Sequence, residues 1–397
     1  MSTSVSPKAA LHLSGRIQAM APSPTMAMDT QAREVAQQGH RVLNLALGEP
    51  DFDTPEHIKE AAYKAIRDGK TKYTPSGGIP ELKEAICQKF SRENRVTYQP
   101  DEVVVCVGGK HALYNVFVAI CDPGDEVLVP VPTWQTFLEQ IRLADGKPVP
   151  VPLGSDHQVR RHDLEPYLSE RTRAILLNSP SNPTGAVMDP AEVEAVAALA
   201  VERGIYLVAD ETYEHYLYDG AKHLAPASLN EEARRWTIEV NTVSKSYAMT
   251  GWRVGYAAGP APVIKAVNSL MSQTASHATS IAQWASVAAL SGPQDSVQTM
   301  VEEFAKRRQM LIEGFHRLGM ECAWPRGAFF AYPQVPGGAP SLPYAEQLLT
   351  DAYIATVPGS AFLGEGYLRV SYAASTEVLQ EALDRLASHL GGAAASQ

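Results

Sequence analysis

Five short runs rich in β-branched residues, each followed by a longer helical stretch or a polar turn, constrain this chain more than any other feature. The runs are 102-EVVVCV-107, 126-EVLVPV-131, 173-RAILLN-178, 205-IYLVAD-210 and 237-TIEVNT-242. Short runs of this kind, alternating with longer amphipathic segments, read as strands. Between them lie 110-KHALYNVFVAI-120 and 189-DPAEVEAVAALAVERG-204. The second opens on Asp then Pro and closes on Gly, the start and stop signals of a helix. Such alternation predicts an α/β fold with a mostly parallel sheet covered on both sides. The rhythm loosens after about residue 290, where 297-VQTMVEEFAKRRQMLIEGFHRLG-319 reads as a long helix. It is followed by strand-like runs at 328–335, 353–359 and 367–373 and a last helix near 376–390. This predicts a second, smaller α+β domain, with Gly-Pro-Gln-Asp at 292–295 as the boundary.

In open α/β sheets ligands bind beyond the carboxyl ends of the strands. The first run ends on Gly108-Gly109, a turn whose bare N–H groups and following helix start suit an anion. The second ends near Trp134, either a stacking surface for a flat ring or a core tryptophan. The third leads into SPSNPTGA, where the Asn182 amide either faces a ligand or caps the turn. The fourth ends on Asp210, an acid that needs a cation or strong donor if buried, with Tyr213 one turn on. The fifth runs into Ser244-Lys245, with Arg253 beyond. Phosphate cradle, flat aromatic, amide, buried acid, lysine and arginine match the parts of pyridoxal 5′-phosphate, whose aldehyde a desolvated lysine can hold.

Net charge is −10, which argues against a nucleic-acid partner. Hydrophobic residues are 45% and charged residues 20%, ordinary for a globular chain. No apolar run approaches the roughly 18 residues of a membrane span, and the first residues carry no secretory apolar core. The expectation is therefore a cytoplasmic protein without a membrane partner. The four cysteines form no C-x-x-C pair and the eleven histidines no metal-ligand spacing, so neither disulfide nor metal is expected.

With these motifs in view, the sequence resembles the class I aminotransferases of fold type I, within them the bacterial aspartate aminotransferase group. The residues that carry the resemblance are 48-GEPDFDTPEHI-58, 72-KYTPSGGIPELKEAI-86, 178-NSPSNPTGAV-187, 210-DETYEHYLY-218, 242-TVSKSYAMTGWRVGYAAGP-260 and 368-LRVSYA-373. The resemblance implies a mostly parallel seven-stranded sheet in a large cofactor domain (48–291), an N-terminal arm and start of the small domain (1–47), and the rest of the small domain (292–397). It implies that Lys245 forms the imine with pyridoxal phosphate and then moves the α-proton. Asp210 would pair with the ring nitrogen, Asn182 and Tyr213 with the phenolate oxygen, and Trp134 would stack on the ring. Gly109, Lys110, Thr242, Ser244 and Arg253 would hold the phosphate, and Tyr73 would reach the phosphate of a neighbouring subunit, which implies a homodimer with shared sites. Arg369 would take the substrate α-carboxylate. Gly48, Trp134 and Asn182 would line the substrate side, with Lys110, Ser23 and Thr25 at the distal carboxylate. The implied reaction is ping-pong transfer of an amino group from aspartate or a similar dicarboxylic or aromatic donor to a 2-oxo acid such as 2-oxoglutarate, with a keto-diacid of the prephenate kind left open.

Three positions depart from the family's pattern: Leu47, Thr133 and His277. They motivate an alternative, a lyase or carbon-bond-forming enzyme of the same fold acting on a γ-activated amino acid such as S-adenosylmethionine. A ligand-sensing domain without catalysis is a further alternative, disfavoured by the acidic charge.

Overall fold

The computed structural model describes residues 11–22 and 24–394; Ser23 lies outside them. Seven strands form the central sheet: β2 (Val103–Cys106), β3 (Glu126–Val131), β4 (Lys147–Pro152), β5 (Thr172–Asn178), β6 (Tyr206–Asp210), β7 (Thr237–Thr242) and β8 (Gly255–Ala258). Their order is β2-β8-β7-β6-β5-β3-β4. Strands β3 to β7 run parallel, and only β8 is antiparallel to its neighbours β7 and β2. The five runs of the sequence thus become the strands whose carboxyl ends share one rim of the sheet.

Burial on both faces explains their apolar composition. Along β2, Val104 and Cys106 pack with Leu113, Val116 and Phe117 of the helix Gly109–Ile120. The alternate residues Val103 and Val105 pack with Leu82, Ile86 and Phe90 on the other face. Two strands escape the sequence pattern. The β4 segment KPVPVP holds three prolines, tolerated because this edge strand pairs with β3 alone. Three of the four residues of β8 are Gly or Ala, Tyr256 being the exception, and the strand follows Arg253, which takes the left-handed conformation at φ 58.

Gly255 shows why smallness is required there. A Cβ at this position would lie 2.2 Å from the Gly109 nitrogen and 2.4 Å from the Gly108 carbonyl carbon. Backbone must move to admit it, so Gly255→Ala is expected to destabilise the protein by about 1–3 kcal/mol. Thermal unfolding measures this.

The second part is built on a separate apolar cluster. Strand β1 (Leu43–Asn44) pairs in parallel with β10 (Ile354–Ala355). Strands β9 (Phe330–Ala331), β11 (Val357–Pro358) and β12 (Leu368–Ser371) form an antiparallel three-stranded sheet in the order β11-β12-β9. These strands are shorter than the runs at 328–335, 353–359 and 367–373 suggest, and the run 353–359 splits into two that join different sheets. Met28 and Ala32 of the N-terminal helix Pro24–Gln37 enter the same cluster as Leu311 and Phe315 of the helix Asp295–Arg317 and Leu379 and Leu383 of the helix Thr376–Ala394. Gly292 follows the helix Ser280–Ser291, and the long helix begins at Asp295. No helix of the described residues is long and apolar enough to cross a membrane.

Candidate active site

The carboxyl rim of the sheet and β12 enclose a cavity of about 350 Å³. Of the residues singled out in the sequence, Thr25, Gly48, Gly109, Lys110, Trp134, Asn182, Asp210, Tyr213, Thr242, Ser244, Lys245, Arg253 and Arg369 line it. Tyr73 does not: it stands 92% exposed, edge-on to the His277 ring at 5.7 Å.

Lys245 follows the end of β7. Its Nζ donates to the Gly48 carbonyl at 2.5 Å, and its own carbonyl accepts from the Tyr216 hydroxyl at 2.7 Å. Burial, aided by the nearby Arg253 and Arg369 and opposed by Glu49 and Asp210, pushes its pKa down to about 8. A much larger neutral fraction than an ordinary lysine has follows near physiological pH, the form in which an amine is nucleophilic.

Asp210 ends β6 beside Asn178 of β5. Burial pushes its carboxyl up to about 6, with the Thr212 hydrogen bonds pulling the other way. Both of those bonds, from the Thr212 hydroxyl at 2.6 Å and its N–H at 3.1 Å, fall on Oδ1. Oδ2 has no bond to any described residue and remains available to a donor in the cavity.

Arg369, on β12, is 2% exposed. Its guanidinium donates to Asn182 Oδ1 at 3.1 Å and to the Ala46 carbonyl at 2.5 Å, while Nε is buried without a partner. The Phe330 and Phe362 rings lie 4.5 and 5.1 Å from it. Burial lowers its pKa to about 10, so it remains a cation at neutral pH.

Near the start of the helix Gly109–Ile120, Gly108 takes φ 84, and a Cβ there would come within 2.5 Å of the Arg253 guanidinium. The Thr242 and Ser244 hydroxyls are linked at 2.7 Å. Lys110 Nζ stands 4.8 Å from the centre of the Trp134 ring, and burial lowers its pKa. The sequence left Trp134 open between core and ligand surface; it lines the cavity and meets Phe137 edge-on. The Asn182 N–H donates to Asn178 Oδ1 at 2.8 Å, and the Asn182–Pro183 peptide bond is cis.

Charge distinguishes this cavity. Four cationic side chains (Lys110, Lys245, Arg253 and Arg369) line it against one carboxyl, Asp210, and none of the four forms an ion pair with a described residue. Like charges gathered without acid partners repel one another and mark a site made for anions.

Sequence reading missed Thr212, which holds Asp210, and Asn178, which orders Asn182; both lie at strand ends, where the signal could have been sought. It also missed Met26, Leu113, Phe137 and Thr250 of the lining. Leu47, Thr133 and His277 are absent from the lining residues. Thr133 is buried and donates its N–H to the Phe362 carbonyl at 2.9 Å, and His277 Nδ1 lies 2.7 Å from the Ala278 carbonyl. Within one chain, these three residues therefore stay outside the cavity lining.

An α/β sheet with a lysine, an acid and unpartnered arginines gathered at its carboxyl rim defines a class of enzyme, and comparison with known proteins agrees. The aminotransferase class I and II family matches residues 40–386, and the chain belongs to that family. It is an aminotransferase with the fold type I architecture. It is 46% identical to the aspartate/prephenate aminotransferase of Thermus thermophilus, over 96% of this chain and 99% of that protein. It is 43% identical to the aspartate aminotransferase of Geobacillus stearothermophilus, over 95% and 98%. Among solved structures, the Thermus thermophilus aspartate aminotransferase with maleate superposes with a TM-score of 0.92 at 45% identity, covering 96% of this chain and all of that one. Relatives at this coverage are named aminotransferases, which counts against the carbon-bond-forming and sensing alternatives.

Proposed function

We propose that the cavity holds pyridoxal 5′-phosphate and transfers an amino group from a dicarboxylic amino acid, aspartate first, to 2-oxoglutarate. The observation that carries this reading is the excess of four unpaired cationic groups over one carboxyl, since a phosphate and two substrate carboxylates are the anions such a site needs. When bound, the cofactor supplies an aldehyde that condenses with amines and a ring that draws electrons away from the amine-bearing carbon.

The chain's residues fit that group. Gly109, Arg253, Ser244 and Thr242 would hold the phosphate, helped by the helix start. Asp210 Oδ2 would accept the ring N–H, Asn182 and Tyr213 would donate to the phenolate oxygen, and Trp134 would cover the ring. Lys245 Nζ would hold the aldehyde and, once displaced by substrate, would take the α-proton and return it elsewhere. Arg369 would bind the α-carboxylate through its planar fork. Lys110 and Thr25 would meet the distal carboxylate; the relatives' names and the maleate in the Thermus structure, a four-carbon dicarboxylate, support this. Tyr73 would serve a neighbouring subunit's phosphate, which its 92% exposure supports. The reading therefore includes a cytoplasmic homodimer with shared sites, each subunit dividing into a large domain of residues 48–291 and a small domain of 292–397 with the N-terminal arm.

The test is a half-reaction. Protein saturated with the cofactor and given aspartate alone is expected to release a stoichiometric amount of oxo acid, and to turn over only when 2-oxoglutarate or prephenate is added. Release of no oxo acid from aspartate or glutamate would overturn the substrate assignment.

A further inference from the structure

Behind the cavity lies a second set of ionisable groups that the proposed chemistry does not use. Glu211 follows Asp210 directly but does not line the cavity, as expected where successive extended residues face opposite ways. It is 1% exposed. It lies with Glu214 and His223 so closely that their polar atoms fall within 4.8 Å of one another.

The surrounding groups are accounted for one by one. Glu214 is satisfied: Lys89, at the end of the helix Pro80–Lys89, is in direct contact with it, Asn94 Nδ2 donates at 2.8 Å and Asn241 Nδ2 at 2.5 Å. Glu93, of the segment after that helix, lies 3.7 Å from Lys89 and 3.1 Å from His215, whose other ring nitrogen meets Ser246 at 2.7 Å. Glu239, on β7 beside Ala209, accepts from the Tyr98 hydroxyl at 3.0 Å, and burial together with Glu211 holds its carboxyl well above the usual range. Glu211 differs from all three. Neither of its oxygens has a hydrogen-bond partner, and its one ion-pair contact among the described residues is His223 Nε2 at 3.0 Å. Asp210, on the cavity side, faces Lys245 and Thr212.

Two carboxyls on adjacent residues, both buried, repel when both are ionised. We propose that His223 is a positioning residue that neutralises Glu211 so that the neighbouring Asp210 can stay ionised toward the cavity. His223 is suited to this: burial works against its charge, yet Glu211 and Glu214 outweigh it and hold the imidazole pKa raised. The spacing of 12 residues between Glu211 and His223 places the cation on a different segment from the acids it serves. This deepens the reading given under Proposed function, on which it rests for the use of Asp210.

The experiment needs no cofactor. The apoprotein is prepared with aspartate carrying a carbon-13 side-chain carboxyl, and the Asp210 signal is assigned by difference from Asp210→Asn. Its ionisation midpoint is then followed against pH, with the wild type expected at about 6. His223→Gln is expected to raise the midpoint by about one unit. Glu211→Gln should lower it, and the double variant should return it to or below the wild-type position. Coincident midpoints in all four proteins overturn the inference, because a purely structural pair would move only the unfolding temperature. If His223→Gln does not fold, Glu211→Gln decides alone: an unmoved midpoint overturns the proposal. Uptake of pyridoxal phosphate by the wild-type apoprotein is measured separately, so failure of the cofactor reading and failure of this one are told apart.

Discussion

Lys245→Ala is expected to lose amino transfer by roughly 10⁴-fold while keeping its fold. The side chain contributes one polar contact, from Nζ to the Gly48 carbonyl. The backbone around it is anchored independently: the Lys245 carbonyl accepts from Tyr216 Oη and from the Ala248 N–H at 3.1 Å. Truncation therefore removes the reacting amine, and with it one of four cations in the cavity, without removing what holds the segment. The Gly48 carbonyl faces the cavity and can turn to water. Steady-state rates with aspartate and 2-oxoglutarate, beside thermal unfolding, measure both halves of the expectation. Added small amines should restore part of the lost rate, since the missing atom is a proton carrier with no covalent tie of its own to the substrate. A variant that kept a tenth of the wild-type rate would remove Lys245 from the centre of the chemistry.

Arg369→Ala is expected to reduce kcat/KM for the amino donor by about 3 kcal/mol or more, on the order of 10²-fold or greater, chiefly through KM. The guanidinium is buried between Phe330 and Phe362, bonded among the described residues only to an amide and a carbonyl, with Nε unpartnered. No carboxylate of the described residues pairs with it, so a substrate carboxylate entering here gains a partner that is already desolvated and oriented. Removing that partner leaves the substrate anion in a dry site, which is the larger cost. Arg369→Lys should recover little, because an ammonium cannot reproduce two parallel N–H donors. The folded state loses no ion pair, so the unfolding temperature is expected to change far less than KM. Equal KM values for wild type and Arg369→Ala would place the α-carboxylate elsewhere.

How much of this was legible beforehand varies by element. The runs at 126–131 and 237–242 coincide with β3 and β7: every position from Val127 to Val131 and from Thr237 to Thr242 is buried, and β-branched residues recur along both. The β4 strand was illegible because its prolines argue against a central strand, and only its place at the sheet edge makes them harmless. The β8 strand was illegible because its composition answers to the Gly108–Gly109 turn pressed against Gly255, a contact between segments about 150 residues apart. In the site, Asp210, Lys245 and Arg369 were found because motif and strand end agreed. Leu47, Thr133 and His277 drew attention by departing from a pattern, yet they stand outside the lining, and sequence proximity to a motif does not fix where a side chain points.

The sequence by itself determined the local structure and the chemical parts: the periodicity that makes strands and helices, and the residue types placed where strands end. Those follow from backbone geometry and side-chain class, which are properties of neighbours along the chain. Only the tertiary structure decided which charges stand alone. That among the described residues Arg369 has no acid and Glu211 only His223, and that Lys89 goes to Glu214 instead, are facts of contact between distant segments. The free energy of a charge is set by burial and by what lies within a few ångströms, and neither is written in the order of residues.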